Sequence, residues 1–365
     1  MGKPKENKLE ISFQYGPKVE VTGNIPREYK VKFINGFNNE VVHSTTIKNN
    51  MWTKTHIEYY IPWIIEIDGK VAHKFNVKGK KVKITFDSKS IGDTVAWMPH
   101  VVEFQKRYEC DVIVSSFHNE WFKGLNTYSK IKFIKPDIPH LAYAHYKIGW
   151  FKKDGKWDSG NKNPTQANTI PLIKCITDII NVPYRELNHG LDFTPKKRPI
   201  EGKYICIGPR STAGIKEWPH DSWRELSTRL HKDGYKIVNL SYEGFEGKHI
   251  INKKELDWPT TWNYMHHAEV FIGLGSGLSW INWGLNKHTI MINNFVPYGY
   301  EFTNNLTKIE NHLVSNNVWS NPHYMFNAGD WNWDPEFQGT DKQHIAQKSI
   351  TVDQVYKTTI KHLNN

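Results

Sequence analysis

The first eighty residues alternate apolar and polar positions in short runs, which is the pattern of half-buried β-strands. The runs are KLEISFQ, VEVTG, YKVKFIN, IEYYIPWIIEI and VAHKFNV. Between the last two, Asp68-Gly69 is typical of a two-residue type I′ hairpin turn, in which both central residues need positive φ. We predict a small antiparallel β domain over residues 1–80. It serves packing or oligomerisation in one interpretation and docks a partner in the other, and the pattern favours neither.

After Lys80 the pattern changes to strands that alternate with helices. KKVKITFDS is a candidate buried strand, TVAWMPHVVEFQKRY a helix, and DVIVSS and IKFIKP two further strands. This alternation is typical of a parallel, doubly wound sheet. We predict an α/β, Rossmann-like domain over residues 81–200. It ends in ELNHGLDFTPKKRPIEG, whose prolines, glycines and basic residues are typical of an interdomain linker.

A second alternating unit follows the linker, beginning with YICIGPRS and continuing through EVFIGLGSG and HTIMINNF. We predict a second Rossmann-like domain over residues 201–345 that includes an aromatic-rich tail loop. A helix over residues 346–365 is expected to return to the first Rossmann-like domain. Two such domains facing each other across a cleft are the architecture of many sugar-nucleotide transferases, although a fold alone assigns no function.

Composition narrows the class of protein. The hydrophobic share of 38% and the charged share of 23% are those of a soluble globular chain. No apolar run approaches the roughly 18 residues of a membrane span, and MGKPKENKLEISF lacks the apolar segment of a signal peptide. The three cysteines are too far apart for a disulfide framework or a CxxC metal site. These features predict a cytoplasmic protein.

The net charge of +11, from 48 basic and 37 acidic residues, predicts an anionic partner. Nucleic acid, an acidic protein, a phosphorylated small molecule and a membrane surface all fit that charge. The basic residues form no long stripe and no RNP-like or zinc-finger pattern, which argues against nucleic acid. Part of the surplus lies at Lys80, Lys81 and Lys83, where an acidic protein could dock.

Ser90-Ile91-Gly92-Asp93 follows the first strand of the first α/β unit. A carboxylate there lies at the carboxyl end of a parallel strand, where open α/β sheets bind their ligands. Asp93 is therefore a candidate general base that takes a proton from an attacking hydroxyl. The alternative is that Asp93 caps the following helix by accepting a hydrogen bond from a first-turn amide. The tetrapeptide alone favours capping.

Two turns of the second α/β unit are candidates for binding a diphosphate. The first carries Arg210, Ser211, Thr212 and Lys216 just after a strand, a set that suits phosphate oxygens. Its alternative is a polar loop with a solvated lysine.

The second turn is Gly275-Ser276-Gly277-Leu278, where small residues let backbone amides approach an anion at a helix N-terminus. Its alternative is close helix–sheet packing. Because Ser279-Trp280 follows, the turn does not fit GxGxxG, which lowers the case for a dinucleotide dehydrogenase.

The tail segment is rich in aromatic residues, at Trp319, Tyr324, Phe326, Trp331 and Trp333. Such side chains suit stacking on a sugar or a base, or a small apolar cluster under a long loop, and we favour the cluster. No HExxH or facial-triad spacing is present, so we predict no metal.

The order FDSKSIGDTVAWMPHV, GPRSTAGIKEWP, FIGLGSGLSWINWGLNKHTIMI and NAGDWNWDP resembles the bacterial autotransporter (strand-loop-strand) O-heptosyltransferases of glycosyltransferase family 9. The resemblance covers most of the chain after about residue 80, and the spacing of four motifs makes it more specific than any one of them. It implies a GT-B fold, an inverting, metal-independent transfer and an ADP-heptose type of donor. It also implies serine acceptors on repetitive β-solenoid proteins, and possible homo-oligomers.

Within that resemblance, Asp93 matches the family's essential aspartate, and Lys216, with Ser211 and Thr212, matches the donor diphosphate site. Residues 275–278 match the turn whose amides face the phosphates, and residues 81–200 and 201–345 become the acceptor-side and nucleotide-sugar domains. We predict a glycosyltransferase that moves a heptose or a related sugar from a nucleoside-diphosphate sugar to a protein hydroxyl. The alternative is a non-catalytic carbohydrate- or protein-binding module on the same fold.

The chain departs from the resembling family at its iron site. Family members carry four cysteines in the tail, and the corresponding positions here are Ser315, Val318, Asp334 and Ala346. One carboxylate does not replace four thiolates. We therefore expect the iron to be lost, and the oligomeric state and the choice of acceptor to be affected.

Overall fold

The computed structural model describes residues 6–136, 138–153, 156–167, 170–211, 214–293, 301–310, 345 and 347–365. Thr212, the aromatic-rich tail loop and the four positions that match the family's iron ligands lie outside the described residues.

Strands and helices alternate along most of the chain. In chain order the strands are β1 (Lys8–Gln14), β2 (Lys18–Thr22), β3 (Glu28–Asn35), β4 (Val41–Lys48), β5 (Trp52–Lys54), β6 (Trp63–Ile67), β7 (Lys70–Lys74), β8 (Lys81–Phe86), β9 (Asp111–Ser115), β10 (Ile131–Ile134), β11 (Ala144–Ile148), β12 (Lys152–Lys153), β13 (Lys156–Trp157), β14 (Tyr204–Gly208), β15 (Lys236–Asn239), β16 (Ile250–Asn252), β17 (Phe271–Leu274), β18 (Thr289–Asn293) and β19 (Leu306–Glu310). The α-helices are α1 (Ile91–Tyr108), α2 (Leu172–Ile180), α3 (His220–Lys232), α4 (Trp258–His267), α5 (Gly277–Gly284) and α6 (Val352–Leu363).

The N-terminal part contains an antiparallel sheet in the order β4-β3-β6-β7. Alternation in β3 buries Val31 and Phe33 while their neighbours face outward. The turn between β6 and β7 is the predicted one, with φ of +51° at Asp68 and +77° at Gly69. The predicted hairpin is therefore confirmed, because both central residues adopt the left-handed conformation that a type I′ turn requires.

Three strands of the same N-terminal part belong to the first Rossmann-like sheet instead. That sheet has the order β10-β9-β8-β11-β1-β2-β5, in which β1 runs parallel to β11 and β2 and β5 are antiparallel. Phe13 of β1 packs on Phe75 with ring centroids 4.6 Å apart. The β block thus shares one hydrophobic core with the first α/β unit.

The second Rossmann-like sheet is wholly parallel, in the order β16-β15-β14-β17-β18-β19. All residues of β14, β17 and β18 are buried, as expected for strands covered by helices on both faces. The architecture is GT-B type, with two Rossmann-like domains and an antiparallel sheet near the N-terminus, as predicted.

The expectation that the C-terminal helix returns to the first Rossmann-like domain is wrong. α6 packs on α3 and β18 of the second domain, and Val355 is fully buried in that domain's core. Just before the helix, the Ile350 carbonyl accepts a hydrogen bond from the Trp218 indole at 2.8 Å. The amphipathic helix remains with the second domain because its apolar face completes the cover over that sheet.

The two Rossmann-like domains touch where α1 and α5 pack against each other. Both helices have glycine in the first turn. A Cβ on Gly92 would come within 2.8 Å of Trp280 Cδ1, and one on Gly277 within 3.0 Å of Ile91 Cβ. The missing side chains let two helix N-termini meet at the cleft, and this contact positions the candidate site.

Candidate functional site

A cavity of about 620 Å³ lies between the two domains. Its walls come from the first turn of α1, the first turn of α5, and loops that follow β14 and β15. Those loops leave the carboxyl ends of parallel strands, the edge at which α/β sheets bind ligands. Asp93, Arg210, Ser211, Lys216 and residues 275–278 all line it. The structure therefore brings together every described site residue that the sequence predicted.

Asp93 lies in the first turn of α1 but does not cap it. The N-cap residue is Ser90, and no side-chain capping bond is made there. The Asp93 carboxylate instead accepts a hydrogen bond from the Trp150 indole at 2.9 Å, and the side chain is only 5% exposed. The capping interpretation of Asp93 is wrong, because the helix begins three residues earlier than capping by Asp93 would need.

Burial raises the pKa of Asp93 to about 6, and the nearby Glu301 carboxylate adds to this rise. Hydrogen bonds from Ser88 and Trp150 and the charge of Lys216 oppose it. A carboxylate with a pKa of about 6 is ionised at neutral pH, yet it binds a proton far better than an exposed aspartate. That is the property of a general base.

Lys216 joins the two predicted diphosphate-binding turns. It ends a short 3-10 turn, and its ammonium donates a hydrogen bond to the Gly275 carbonyl at 2.9 Å. Burial lowers the pKa of Lys216, while Glu301 and Asp93 raise it. The solvated-lysine interpretation is wrong, because the ammonium is hydrogen-bonded to the Gly275 carbonyl and interacts electrostatically with Glu301 and Asp93.

The glycine turn has two roles. Gly273 allows close packing, and residues 275–278 line the cavity. A Cβ on Gly273 would come within 2.4 Å of the Phe271 ring, so that glycine is required by packing. Ser276 is the N-cap residue of α5, and Gly277 and Leu278 are its first helical residues at the cavity wall. The amides of a helix's first turn have no intrahelical acceptor, which favours an anion there.

Arg210 reaches the cavity wall already paired with carboxylates. Its guanidinium donates to Glu217 at 3.1 Å and to Glu243 at 3.0 Å. The backbone amide of Ser211 donates to the other oxygen of Glu217 at 3.0 Å. Glu217 thus fixes the shape of this turn, and its charge offsets that of Arg210. The larger share of positive charge facing the cavity comes from Lys216.

Three residues of the site were not predicted. Trp150 holds the Asp93 carboxylate, Trp280 packs against the N-terminus of α1, and Glu301 lies 94% buried in the cavity wall (6% exposed). They come from distant parts of the chain, and Trp150 and Glu301 belong to no spaced motif. The one available signal was Trp280, which directly follows the glycine turn.

Among the residues that the structure describes, no cluster of three or more histidine, cysteine, aspartate or glutamate side chains is arranged to hold a metal ion. The four tail positions that the resemblance predicts to correspond to iron ligands carry no cysteine, so those residues do not suit an iron–thiolate site. No helix within the described ranges is both long enough and apolar enough to cross a bilayer.

Comparison with known proteins shows relatives across nearly the full chain. Residues 181–324 match the model of glycosyltransferase family 9 (heptosyltransferase). BimC of Burkholderia thailandensis, described as an inactive autotransporter heptosyltransferase, is 26% identical over 82% of this chain and 74% of its own. The autotransporter heptosyltransferase Aah of Escherichia coli is 27% identical over 90% of this chain and 87% of its own.

A solved structure shares the whole fold. It is the dodecameric, iron-containing heptosyltransferase TibC of Escherichia coli in complex with ADP-D-beta-D-heptose. The TM-score is 0.86 at 22% identity, over 99% of this chain and 97% of TibC. The likeness to this structure shows the fold of the chain. Residues 181–324 thus match the heptosyltransferase family model, and the chain is similar to autotransporter heptosyltransferases over most of its length.

Proposed function

We propose that the chain transfers a heptose or a related sugar from an ADP-heptose type of donor to a hydroxyl of a protein acceptor, with inversion. The observation that carries this proposal is the set of groups that line one cavity between the two domains. A buried aspartate with a raised pKa lies on one domain, and a lysine and a helix N-terminus lie on the other.

In the proposed reaction, Asp93 takes the proton of the acceptor hydroxyl. The oxygen forms a bond to the anomeric carbon of the sugar as the bond from that carbon to the diphosphate oxygen breaks on the opposite face. Attack opposite the leaving group inverts the anomeric configuration. The diphosphate leaves with the bonding electron pair and gains negative charge, which Lys216 and the α5 amides stabilise.

The choice of donor and acceptor is supported by the relatives. TibC was solved with ADP-D-beta-D-heptose, and the curated relatives are named autotransporter heptosyltransferases. A serine hydroxyl on a repetitive β-solenoid protein is the acceptor that we propose, in the cytoplasm. Ser211 and Thr212 remain predicted diphosphate ligands beside Lys216, as does Arg210 if the donor displaces its carboxylate partners. Because TibC is dodecameric, we also propose a homo-oligomer.

Replacing Asp93 tests the proposed base. Asp93→Asn keeps the size of the side chain and removes its basicity, so transfer should fall by roughly two to four orders of magnitude. Binding of the donor should remain, because the diphosphate contacts lie on the other domain. The measurement is sugar transfer to a co-expressed acceptor by mass spectrometry, with donor binding by calorimetry.

Asp111→Asn is the matched control, because Asp111 is exposed at the start of β9, at the opposite edge of the sheet. It should transfer at the wild-type rate. Near wild-type transfer by Asp93→Asn would show that another group is the base.

The alternative, a non-catalytic binding module, has support in the relative BimC, which is described as inactive although it aligns with 82% of this chain. Titration with several nucleoside diphosphates, followed by mass spectrometry of a co-expressed acceptor, separates the two functions. Donor binding without any modified acceptor would favour the module, and a mass increase of one sugar would establish the transferase.

A further inference from the structure

Glu301 has a buried carboxylate oxygen that nothing in the described part of the chain uses. The side chain is 6% exposed and lines the cavity. Trp280 donates a hydrogen bond to the carboxylate, while Oε2 is buried and has no partner among the described groups. A buried carboxylate oxygen without a hydrogen-bond partner is costly, and native proteins rarely keep one without a reason.

The position of Glu301 follows from the charges that surround it. Its carboxylate interacts electrostatically with Lys216, Lys308 and Asp93. Lys216 belongs to the proposed diphosphate site, and Asp93 is the proposed base. In a glycosyl transfer, the group between the leaving diphosphate and the base is the sugar itself. With the donor bound as proposed, Glu301 would line the part of the cavity that holds the sugar ring.

The chemistry of the free oxygen selects the kind of group that it binds. An ionised carboxylate only accepts hydrogen bonds, and it repels the diphosphate. A sugar offers hydroxyl donors, and a hydroxyl bound to a carboxylate makes a strong, charge-assisted bond. Trp280 is held between α1 and the carboxylate, so the orientation of Glu301 is fixed before a donor arrives.

We propose that Glu301 is a specificity-determining residue that accepts a hydrogen bond at Oε2 from a hydroxyl of the donor's sugar. This assignment rests on the proposed function, since it takes the cavity to be the donor site. Under this proposal, Glu301 distinguishes a sugar nucleotide from the free nucleotide, because the diphosphate contacts are the same for both ligands.

The test is calorimetric titration of the wild type and Glu301→Gln with two probes, ADP and ADP-D-beta-D-heptose. Loss of a hydrogen bond to a charged group should weaken binding of the sugar nucleotide by roughly tenfold to a hundredfold. Binding of ADP should be unchanged or tighter, because the substitution removes a negative charge near the diphosphate. The ratio of the two affinities is the readout, and a general loss of structure would not produce this opposite change.

Glu269→Gln is the matched control, because Glu269 precedes β17 at the far edge of the sheet and pairs with Arg198. Glu301→Ala is the second variant, and it should lose the same preference for the sugar nucleotide. Equal weakening of both probes, or an unchanged affinity ratio, would overturn the assignment. A wild type that prefers the sugar nucleotide but modifies no acceptor would overturn the proposed transfer and leave the role of Glu301 intact.

Discussion

At the scale of single residues, the site is built from ionisable groups held away from water. Asp93 and Glu301 are both buried, and burial raises the pKa of each. Lys216 interacts electrostatically with both carboxylates, and burial lowers the pKa of its ammonium. Such opposed shifts in one cleft are typical of sites that move protons or bind charged ligands, and they have a cost in stability.

The pKa of Asp93 makes the stability of the protein depend on pH. Folding raises this pKa from 3.8 to about 6, so the folded protein holds the proton more tightly than the unfolded chain. The stabilisation is fully present below pH 3.8 and is lost as the pH rises through 6. Asp93→Asn removes this dependence. The difference in the free energy of unfolding between Asp93→Asn and the wild type should therefore be larger, in favour of the variant, at pH 8 than at pH 5, by roughly 1–2 kcal/mol.

Urea unfolding of both proteins at the two pH values measures this difference. Asp111→Asn, whose carboxylate is exposed, should show no such dependence. A stability gain for Asp93→Asn that is the same at pH 5 and pH 8 would show that folding does not raise the pKa of Asp93.

At the scale of elements, the cleft depends on the close approach of α1 and α5. Strand alternation, the β6–β7 turn and the βα repeats could all be predicted, since each is a local pattern with a period of 2 or 3.6 residues. The pairing of β1 with β11 could not, because nothing in either strand specifies which partner it meets. The same holds for α6, whose apolar face fits either domain by pattern alone.

Gly92→Ala tests the close approach of the two helices. The added Cβ would lie 2.8 Å from the Trp280 ring, closer than any normal contact, so α1 and α5 must separate or shift. We expect transfer to fall by at least about tenfold, since small displacements in a catalytic site are costly. Overpacking should also reduce stability by roughly 1–3 kcal/mol.

Gly277→Ala should have a milder effect in the same direction, because its Cβ would lie 3.0 Å from Ile91 Cβ. Transfer rates and thermal unfolding of both variants provide the measurement. Wild-type rate and stability in Gly92→Ala would show that the contact between the helices does not position the site.

At the scale of the whole molecule, the +11 charge now has a more specific interpretation. Lys216 belongs to the cavity, and the charge of Arg210 is offset by Glu217 and Glu243. Lys83 does not contribute to a docking surface, because it is buried and its ammonium donates to the Ile138 carbonyl at 3.1 Å. Exposed lysines elsewhere remain for an acidic acceptor.

Salt should therefore affect transfer to a protein more than it affects the donor. Between low salt and about 0.5 M salt, screening weakens attraction between exposed charges but barely weakens contacts inside the cavity. We expect the apparent KM for a protein acceptor to rise several-fold while slow hydrolysis of the donor changes little. Steady-state assays of both reactions over a salt series measure this, and an equal salt effect on the two would argue against docking by charge.

The sequence by itself determined the local elements, the two α/β units, and the motifs that carry Asp93, Lys216 and the glycine turn. Each of these is a pattern in a short stretch, set by periodicity or by residues that a turn requires. The tertiary structure alone decided that Trp150 holds Asp93, that Glu217 pairs with Arg210, and that Glu301 lies in the cavity. Burial raises the pKa of Asp93, and burial is a property of residues brought together from distant parts of the chain.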